Sequence, residues 1–225
     1  MKRFLQILLF AVTVSACSAD FYDSYDLEKI GDVIIDGGEY TAIVTVKQSP
    51  QNEVYFQLND STTMFPRNYL QSFTRMERAI CAIKAWVMPS GVYNYTCDVG
   101  WIESIEEGNI SSHALSAADP IDILDDWMTS VEDGYLTVHY DVWWGSEPVA
   151  HNFSIVTGMN PEDPYELLLV HSANGDAMDW KADGLVCFDI NSLPSTEGQY
   201  KILTLKWDNL GGSASEKKFK FKTRE

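Results

Sequence analysis

The segment from His171 to Ile190, HSANGDAMDWKADGLVCFDI, combines side chains that could bind a metal ion or transfer a proton. It holds one His, one Asn, four Asp and one Cys. Calcium prefers hard oxygen ligands of this kind when a loop groups them. The candidate calcium ligands are Asn174, Asp176, Asp179 and Asp183. Their spacing does not match the EF-hand pattern, and Asn, Gly and Asp are also the residues that turns require. We therefore predict no cofactor and keep calcium as the weaker alternative.

Two predicted strands must hold this segment in place. YELLLVHS leads into it and LVCFDI ends it, so ANGDAMDWKADG is predicted to be a long connection. In the second strand Val186 and Phe188 share one face and Cys187 lies on the other. The polar cluster is therefore interpreted mainly as turn chemistry, with Trp180 covering the end of the sheets.

The chain lacks the motifs of the common catalytic and cofactor sites. It has no G-x-S-x-G, H-E-x-x-H, paired C-x-x-C, Walker A or dinucleotide glycine pattern. His139, His151 and His171 fall in predicted strands, where we interpret them as partly exposed strand residues. Paired carboxylates could serve a glycosidase, but an acidic chain always offers them. We predict a protein without enzymatic activity and rank hydrolysis last.

Aromatic side chains offer the sharpest functional hypothesis. Trp143 and Trp144 are adjacent in the predicted strand GYLTVHYDVWWG, so they point to opposite faces and one can be exposed while the other packs in the core. Exposed aromatic rings stack on sugar faces and anchor protein partners. The candidate ligand-binding residues are Trp127, Tyr135, Trp143, Trp144 and Trp180. Core packing is the alternative for each of them.

The first residues have the layout of a secretory signal peptide. Lys2 and Arg3 precede an apolar run that is too short for a permanent membrane span. VSAC, which ends at Cys17, resembles the lipobox of bacterial lipoproteins. This resemblance implies cleavage after residue 16, acylation of Cys17 and a tether over residues 17–38; plain signal cleavage after Ala16 is the alternative. We expect a lipid anchor in the outer membrane that faces the cell surface, with the periplasmic face as the alternative.

The charge of the chain restricts its partners. It has 16 basic and 33 acidic residues, a net charge of −17. Binding to phosphate backbones needs Lys and Arg, so we predict no nucleic-acid partner. The same deficit excludes attachment to anionic lipid through a basic patch, which leaves the acyl chains as the predicted membrane contact.

Three cysteines remain if Cys17 is acylated, and an odd number does not describe a disulfide framework. Cys81 and Cys97 flank a candidate hairpin and could pair. The alternative is that Cys81, Cys97 and Cys187 are all small buried apolar residues.

Both halves of the chain predict β-structure. In residues 39–112 YTAIVTV, VYFQL, TTMFPR and a long hairpin give about five strands, which fits a small barrel such as the OB type. Glu106–Trp127 is predicted to contain the linker, because it carries small and turn-forming residues. Residues 119–225 contain about seven short strands, which predict an immunoglobulin-like β-sandwich. The last strand alternates Lys with Phe, as a protected edge strand does.

With this order of elements the chain resembles the NigD-like lipoproteins. The likeness lies in VYFQLNDSTTMFP, DDWMTSVEDGYLTVHYDVWWG, AHNFSIV and above all HSANGDAMDWKADGLVCFDI. The resemblance implies an N-terminal OB-like domain and a C-terminal β-sandwich. It also implies a role in bacteriocin biology as an accessory or immunity lipoprotein. The residues themselves favour a non-catalytic module that binds an extracellular glycan or protein.

Overall fold

A computed structural model describes residues 37–68, 77–87, 91–113 and 118–224. The predicted signal peptide, Cys17 and nearly all of the predicted tether lie outside the described residues. Within these ranges, no helix has the length and hydropathy needed to cross a bilayer.

The first half forms a closed five-stranded barrel with the strand order β1-β2-β3-β5-β4. Its strands are β1 (Gly38–Gln48), β2 (Val54–Gln57), β3 (Thr63–Pro66), β4 (Glu77–Val87) and β5 (Tyr95–Ser104). Neighbours are antiparallel except β3 and β5, which are parallel. This is the OB-like barrel that the sequence predicted. The last residue of the predicted tether, Gly38, already belongs to β1.

Alternation along the strands fills the barrel. In β1 Ala42, Val44 and Val46 are buried, and they pack with inward residues of the other strands such as Phe56 and Met64. The predicted hairpin is β4 and β5, whose register shifts between Ala82 and Ile83. Such an irregularity bends a strand and helps a small sheet to close.

The second half is a sandwich of two sheets. One has the order β6-β13-β10-β8, with β9 also paired to β10, and the other has the order β15-β14-β12-β11-β7. The strands of the first sheet are β6 (Glu106–Glu107), β8 (Asp122–Ile123), β9 (Ser130–Glu132), β10 (Tyr135–Trp144) and β13 (Trp180–Asp189). Those of the second are β7 (Asn109–Ser111), β11 (Asn152–Val156), β12 (Glu166–Ser172), β14 (Lys201–Asp208) and β15 (Ala214–Phe221).

Alternate residues of the sheets meet in one core. Leu136 and Val138 of β10 pack there with Val186 and Phe188 of β13 and with Ile155 of the opposite sheet. These are the inward faces that the period-two pattern predicted. The immunoglobulin-like sandwich is therefore confirmed as the second half of the fold.

Part of the predicted linker is strand. β6 pairs in parallel with β13, and β7 pairs in parallel with β11, so residues 106–111 extend the sandwich although the sequence placed them with the barrel. Strands of two or three residues are too short to show a period-two pattern. Their pairing, rather than their composition, makes them strands.

β13 is also longer than predicted. The expected connection ran from Ala173 to Gly184, but the strand begins at Trp180 and pairs with β10 as far as Trp144. The polar residues in the first half of β13 belong to the strand rather than to a turn, and they face solvent. At the other end of the sandwich β15 is an edge strand, with Phe221 buried and Lys218 and Lys220 exposed, as the alternation of Lys and Phe predicted.

A buried arginine lies in the seam between barrel and sandwich. Nε of Arg78 donates to Oγ1 of Thr137 at 3.3 Å, and Nη1 donates to Oγ1 of Thr45 at 3.0 Å. Burial lowers the pKa of this guanidinium, against the effect of nearby Glu132 and Asp133. A cavity of about 310 Å³ opens at the seam and is lined by Glu77, Arg78, Ser104, Ile105, Glu106, Glu107 and Cys187.

Carboxylates from the β9–β10 turn complete this seam. Burial raises the pKa of Glu132 to about 8, although Arg78 opposes the shift. Oδ1 of Asp133 accepts a charged hydrogen bond from Nζ of Lys47 at 2.6 Å, and Asp60 of the barrel accepts from the Asp133 backbone N–H. Buried charges of this kind are tolerated only when partnered, so they fix how the two halves dock.

Candidate functional site

The outer face of β10 and β13 carries one exposed aromatic residue of the predicted binding set, Trp143, among charged side chains. Because side chains alternate along a strand, the residues between the core positions of β10 point away from the sandwich. Near the barrel these residues are buried in the seam. Further along, they become an open surface, which we call the outer face and define by Asp141 and Trp143 of β10 and by Lys181 and Asp183 of β13.

Lys181 organises one end of the outer face. Its Nζ lies 3.3 Å from Oδ2 of Asp141 and 3.9 Å from Oδ2 of Asp122, which comes from β8. The same ammonium lies 5.7 Å from the centre of the Trp143 ring. The indole is 37% exposed. An aromatic ring is therefore presented to solvent beside one positive and two negative groups.

His139 organises the other end. Its Nδ1 lies 2.6 Å from Oδ2 of Asp126 and its Nε2 lies 3.0 Å from Oδ2 of Asp183. A carboxylate only accepts hydrogen bonds, so each of these contacts is a hydrogen bond only when the ring nitrogen carries a hydrogen. The imidazole is 8% exposed, whereas the Asp183 side chain is 68% exposed. A ligand can therefore reach Asp183 directly and His139 only from its edge.

The five predicted aromatic residues lie in different parts of the structure and differ in their exposure. Trp143 and Trp180 are exposed on the surface. Trp127 is half-buried against a small cluster at the seam, and Tyr135 is buried within that cluster. Trp144 is half-buried and stacks on His151, with ring centres 3.9 Å apart. The adjacent pair thus divides as expected: Trp143 faces out, and Trp144 packs against the core.

The four candidate calcium ligands have different hydrogen-bond partners. Asp176 accepts from the Gly145 N–H at 2.8 Å, and Asp179 accepts from the Ser146 N–H and hydroxyl. The Asn174 amide donates to the carbonyl of Ala150, and Asp183 faces His139. Within the described residues no group of three or more His, Cys, Asp or Glu side chains is arranged to hold a metal ion.

A second histidine cluster is sealed inside the opposite end of the sandwich. Nε2 of His151 lies 3.2 Å from Oδ2 of Asp176, and Nδ1 of His151 lies 3.0 Å from Nε2 of His171. Burial and the neighbouring His151 lower the pKa of His171, so this ring is neutral at neutral pH. With neutral rings His171 donates to His151, and His151 donates to Asp176. The Gly145 N–H holds the pKa of Asp176 below its usual value.

The interpretation of the three strand histidines as partly exposed is therefore wrong. His139, His151 and His171 are each at least nine-tenths buried. Each has a carboxylate or another imidazole as its partner, and these partners make burial of a polar ring possible. Asp126 and Asp176 lie 13 and 25 positions away from their histidines, and no local sequence signal links residues at such separations.

The three cysteines are small buried residues, as in the second of the two interpretations that the sequence allowed, and Cys81 and Cys97 do not pair. Cys81, Cys97 and Cys187 are free and buried. Burial raises the pKa of the Cys81 and Cys97 thiols to about 12, so both remain protonated. Cys81 and Cys97 pack in the barrel core, and Cys187 packs at the seam.

The fold defines a class of two-domain all-β proteins in which an OB-like barrel precedes a sandwich. The family model of the NigD-like C-terminal beta sandwich domain matches residues 102–221, which is more than half of the chain. The chain belongs to the NigD-like family. The match begins just before β6 and β7, in keeping with their pairing in the sandwich. None of the curated proteins matches the chain.

Solved structures with the same fold include proteins from Bacteroides and Parabacteroides. A protein from Parabacteroides distasonis ATCC 8503, whose name relates it to a toxin, is 24% identical with a TM-score of 0.66, over 82% of this chain and 94% of its own. A NigD-like immunity protein from Bacteroides caccae ATCC 43185 is 17% identical with a TM-score of 0.55, over 79% and 91%. A protein of unknown function from Bacteroides vulgatus ATCC 8482 is 17% identical with a TM-score of 0.63, over 82% and 91%. These similarities show a shared fold.

Proposed function

We propose that the protein is a non-catalytic binding module that recognises an extracellular glycan through the outer face of its sandwich. The observation that carries the proposal is the position of Trp143. Its ring is open to solvent on a rigid strand, and Lys181 and Asp141 hold charged groups beside it. Aromatic rings present a large contact area at low entropic cost, and neighbouring carboxylates and ammonium groups accept or donate hydrogen bonds to hydroxyls.

The charge of the outer face restricts the class of ligand that can bind there. Lys181 and His139 are its basic groups. Its acidic groups are Asp122, Asp126, Asp141 and Asp183. Together with the net charge of −17, this surface repels sulfated sugars, uronic acids and nucleic acids. The expected ligand is an uncharged or amine-bearing oligosaccharide.

Screening the mature chain on a glycan array and measuring hits by calorimetry tests this proposal. Trp143→Ala should weaken binding at least tenfold, because the ring supplies the main contact area. Trp101→Ala is the matched control, since Trp101 is a similarly exposed indole (46%) on strand β5 of the barrel. Equal losses in the two variants, or no hit on the array, would reject the outer face as the binding site.

The proposal places this module on a membrane through acyl chains on Cys17. Its support is the sequence VSAC at the end of the predicted signal peptide, and two or more acyl chains suffice for stable anchoring. Replacing Cys17 by Ser should move the protein from the outer-membrane fraction to the soluble fraction. Protease treatment of intact cells then distinguishes a surface orientation from a periplasmic one.

Immunity to a bacteriocin is the second candidate function. It is favoured by the shared fold with the NigD-like immunity protein from Bacteroides caccae and by membership of the same family. A deletion strain should then be more sensitive to killing by bacteriocin-producing neighbours, and the intact gene should restore resistance. Unchanged sensitivity would leave glycan binding as the better explanation.

A further inference from the structure

Three aromatic rings lie together on the outer wall of the barrel, far in sequence from the sandwich residues discussed above. Tyr55 comes from β2, Phe65 from β3 and Tyr93 from the segment before β5. The Tyr93 ring lies between the other two, with ring centres 5.4 Å from Tyr55 and 5.7 Å from Phe65. We call these three residues the barrel strip.

The barrel strip faces outward and is partly open to solvent. In β2 and β3 the neighbouring residues Phe56 and Met64 are fully buried in the barrel core, so the alternating residues Tyr55 and Phe65 point away from it. All three rings are half-buried rather than buried. A barrel of this size is filled from inside, and its stability does not require rings on the outer wall.

Two connections frame the strip. Burial raises the pKa of Tyr93, nearby Glu53 adds to this effect, and the Ser49 side chain opposes it. Ser49 and Glu53 belong to the β1–β2 turn, where Ser49 also accepts the Glu53 N–H. The strip thus runs between the β1–β2 turn and the residues that lead into β5.

Hydroxyl and amide groups interleave with the rings. Thr63 and Asn94 hydrogen-bond to each other beside Phe65, and Thr96 donates to the Phe65 carbonyl at 2.9 Å. Stacked rings bordered by uncharged polar groups are suited to a ligand with alternating apolar faces and hydroxyls, which is the surface of a sugar chain.

We propose that the barrel strip is a second carbohydrate-binding site, specific for uncharged oligosaccharides and separate from the outer face of the sandwich. Electrostatics decides between this occupant and the other ligand that stacks on aromatic rings, a single-stranded nucleic acid. Nucleic-acid grooves are lined with basic residues. Here, among the described residues, the two basic groups beside the strip are already paired with carboxylates: Lys47, opposite Tyr55, with Asp133, and Arg67, two residues past Phe65, with Asp98. Glu53 lies near Tyr93, and the chain has a net charge of −17.

The site is held rigidly relative to the sandwich. Tyr55 lies opposite Lys47 in the register of β1 and β2, which places this ring beside the contact between the barrel and the β9–β10 turn. Lys47 pairs with Asp133 at the same place.

The test uses the mature chain and two groups of probes. The neutral probes are soluble hexasaccharides of β-1,4-glucan, α-1,4-glucan and β-1,4-mannan. The anionic probes are a galacturonic acid hexamer and a dT oligonucleotide. Calorimetry is combined with NMR of ring-labelled tyrosine. At least one neutral hexasaccharide should bind and shift the Tyr55 and Tyr93 signals. Tyr93→Ala should weaken the binding that shifts these signals at least tenfold, Tyr93→Phe should retain it, and Trp101→Ala, which removes an exposed indole outside both sites, should leave it intact.

Controls separate this site from the outer face and from misfolding. Tyr200→Ala removes a more exposed tyrosine of the sandwich (56% exposed) and should leave binding unchanged. Thermal unfolding of each variant identifies loss of structure, and Phe65→Ala provides a second variant of the strip. The proposal is overturned if no neutral hexasaccharide binds, if an anionic probe binds in preference, or if binding survives both Tyr93→Ala and Phe65→Ala. A loss confined to Trp143→Ala would instead support the outer face alone.

Discussion

The sandwich contains two histidine clusters built from the same residue types with opposite exposure. At one end His151, His171 and Asp176 are sealed: the side chains of His151 and Asp176 are 0% and 2% exposed. On the outer face His139 lies between Asp126 and the largely exposed Asp183.

The difference in exposure between the two clusters follows from the hydrogen-bond partners of each carboxylate. Asp176 accepts the N–H of Gly145, in the turn after β10, and the N–H of Ala177 in its own β12–β13 connection, so the sealed cluster ties these two connections together at the end of the sandwich. Asp183 has His139 as its hydrogen-bond partner among the described residues and leaves much of its surface to solvent. The same chemistry therefore secures structure where water is excluded and leaves a polar surface where water can enter.

Truncating the sealed cluster should have the largest effect. His171 packs on the ring of Phe153 and hydrogen-bonds to His151. His171→Ala leaves a cavity and removes the donor to His151, so the free energy of unfolding should fall by about 3 kcal/mol. For a chain of this size the melting temperature should fall by roughly 10 °C. Calorimetric or fluorescence-detected thermal unfolding measures both.

His139→Ala is the matched variant of the open cluster. Its loss should be about 1 kcal/mol, because solvent can hydrate Asp126 and Asp183 once the ring is gone. Similar losses in the two variants would show that exposure does not distinguish the clusters.

The seam between barrel and sandwich holds a third buried acid–base group, the carboxyl group of Glu132. The pKa of Glu132 is about 8 in the folded protein against an ordinary 4.5. The unfolded chain therefore loses this proton at lower pH than the folded protein. It follows that the free energy of unfolding should decrease as the pH rises from about 5 to about 8, by about 2 kcal/mol or more, and then level off.

Urea unfolding at a series of pH values checks this decrease. Glu132→Gln should remove it, since the amide stays neutral. Glu103→Gln makes the same charge change on an exposed residue of β5 and should leave the decrease in place. A slope that persists in Glu132→Gln would assign the pH dependence to other groups.

Much of the fold was predictable because it rests on alternation. In β10, the alternation of Leu136 and Val138 with Thr137 along the sequence was enough to assign the two faces of the strand. The same reasoning placed Phe188 and Cys187 on opposite faces of β13. Alternation needs several residues to show itself. β6 and β7 have two and three residues, so only their parallel partners could reveal them.

The candidate site was predictable in part. The adjacent pair Trp143 and Trp144 had to divide between two faces, and the structure shows which one is exposed. The partners of His139 were not predictable, because Asp126 and Asp183 come from different elements on either side of β10. The barrel strip was missed for a similar reason: Tyr55, Phe65 and Tyr93 meet only after the barrel closes.

Acidification offers a finer test of the sealed cluster. Because burial lowers the pKa of His171 below 6.5, the unfolded chain takes up a proton near pH 6.5 before the folded protein does. Stability contributed by the neutral ring is present above that pH and is lost as the pH falls, by about 1 kcal/mol down to pH 5. Glu132 acts in the opposite direction over the same range, so the measurement belongs in the Glu132→Gln background. There, His171→Gln should flatten the remaining acid slope; an unchanged slope would contradict a neutral, sealed His171.

The smallest expected effect on stability is at the outer face. Lys181→Met breaks the ion pairs with Asp141 and Asp122, but Lys181 is 39% exposed and exposed pairs contribute little because water and salt screen them. The free energy of unfolding should change by less than about 1 kcal/mol, measured by urea unfolding at low and at physiological salt. Glycan binding should weaken in the same variant, since the ammonium no longer borders Trp143. A larger loss of stability with intact binding would mean that these charges hold the sheet together, and that the outer face is structural in the same sense as the sealed cluster.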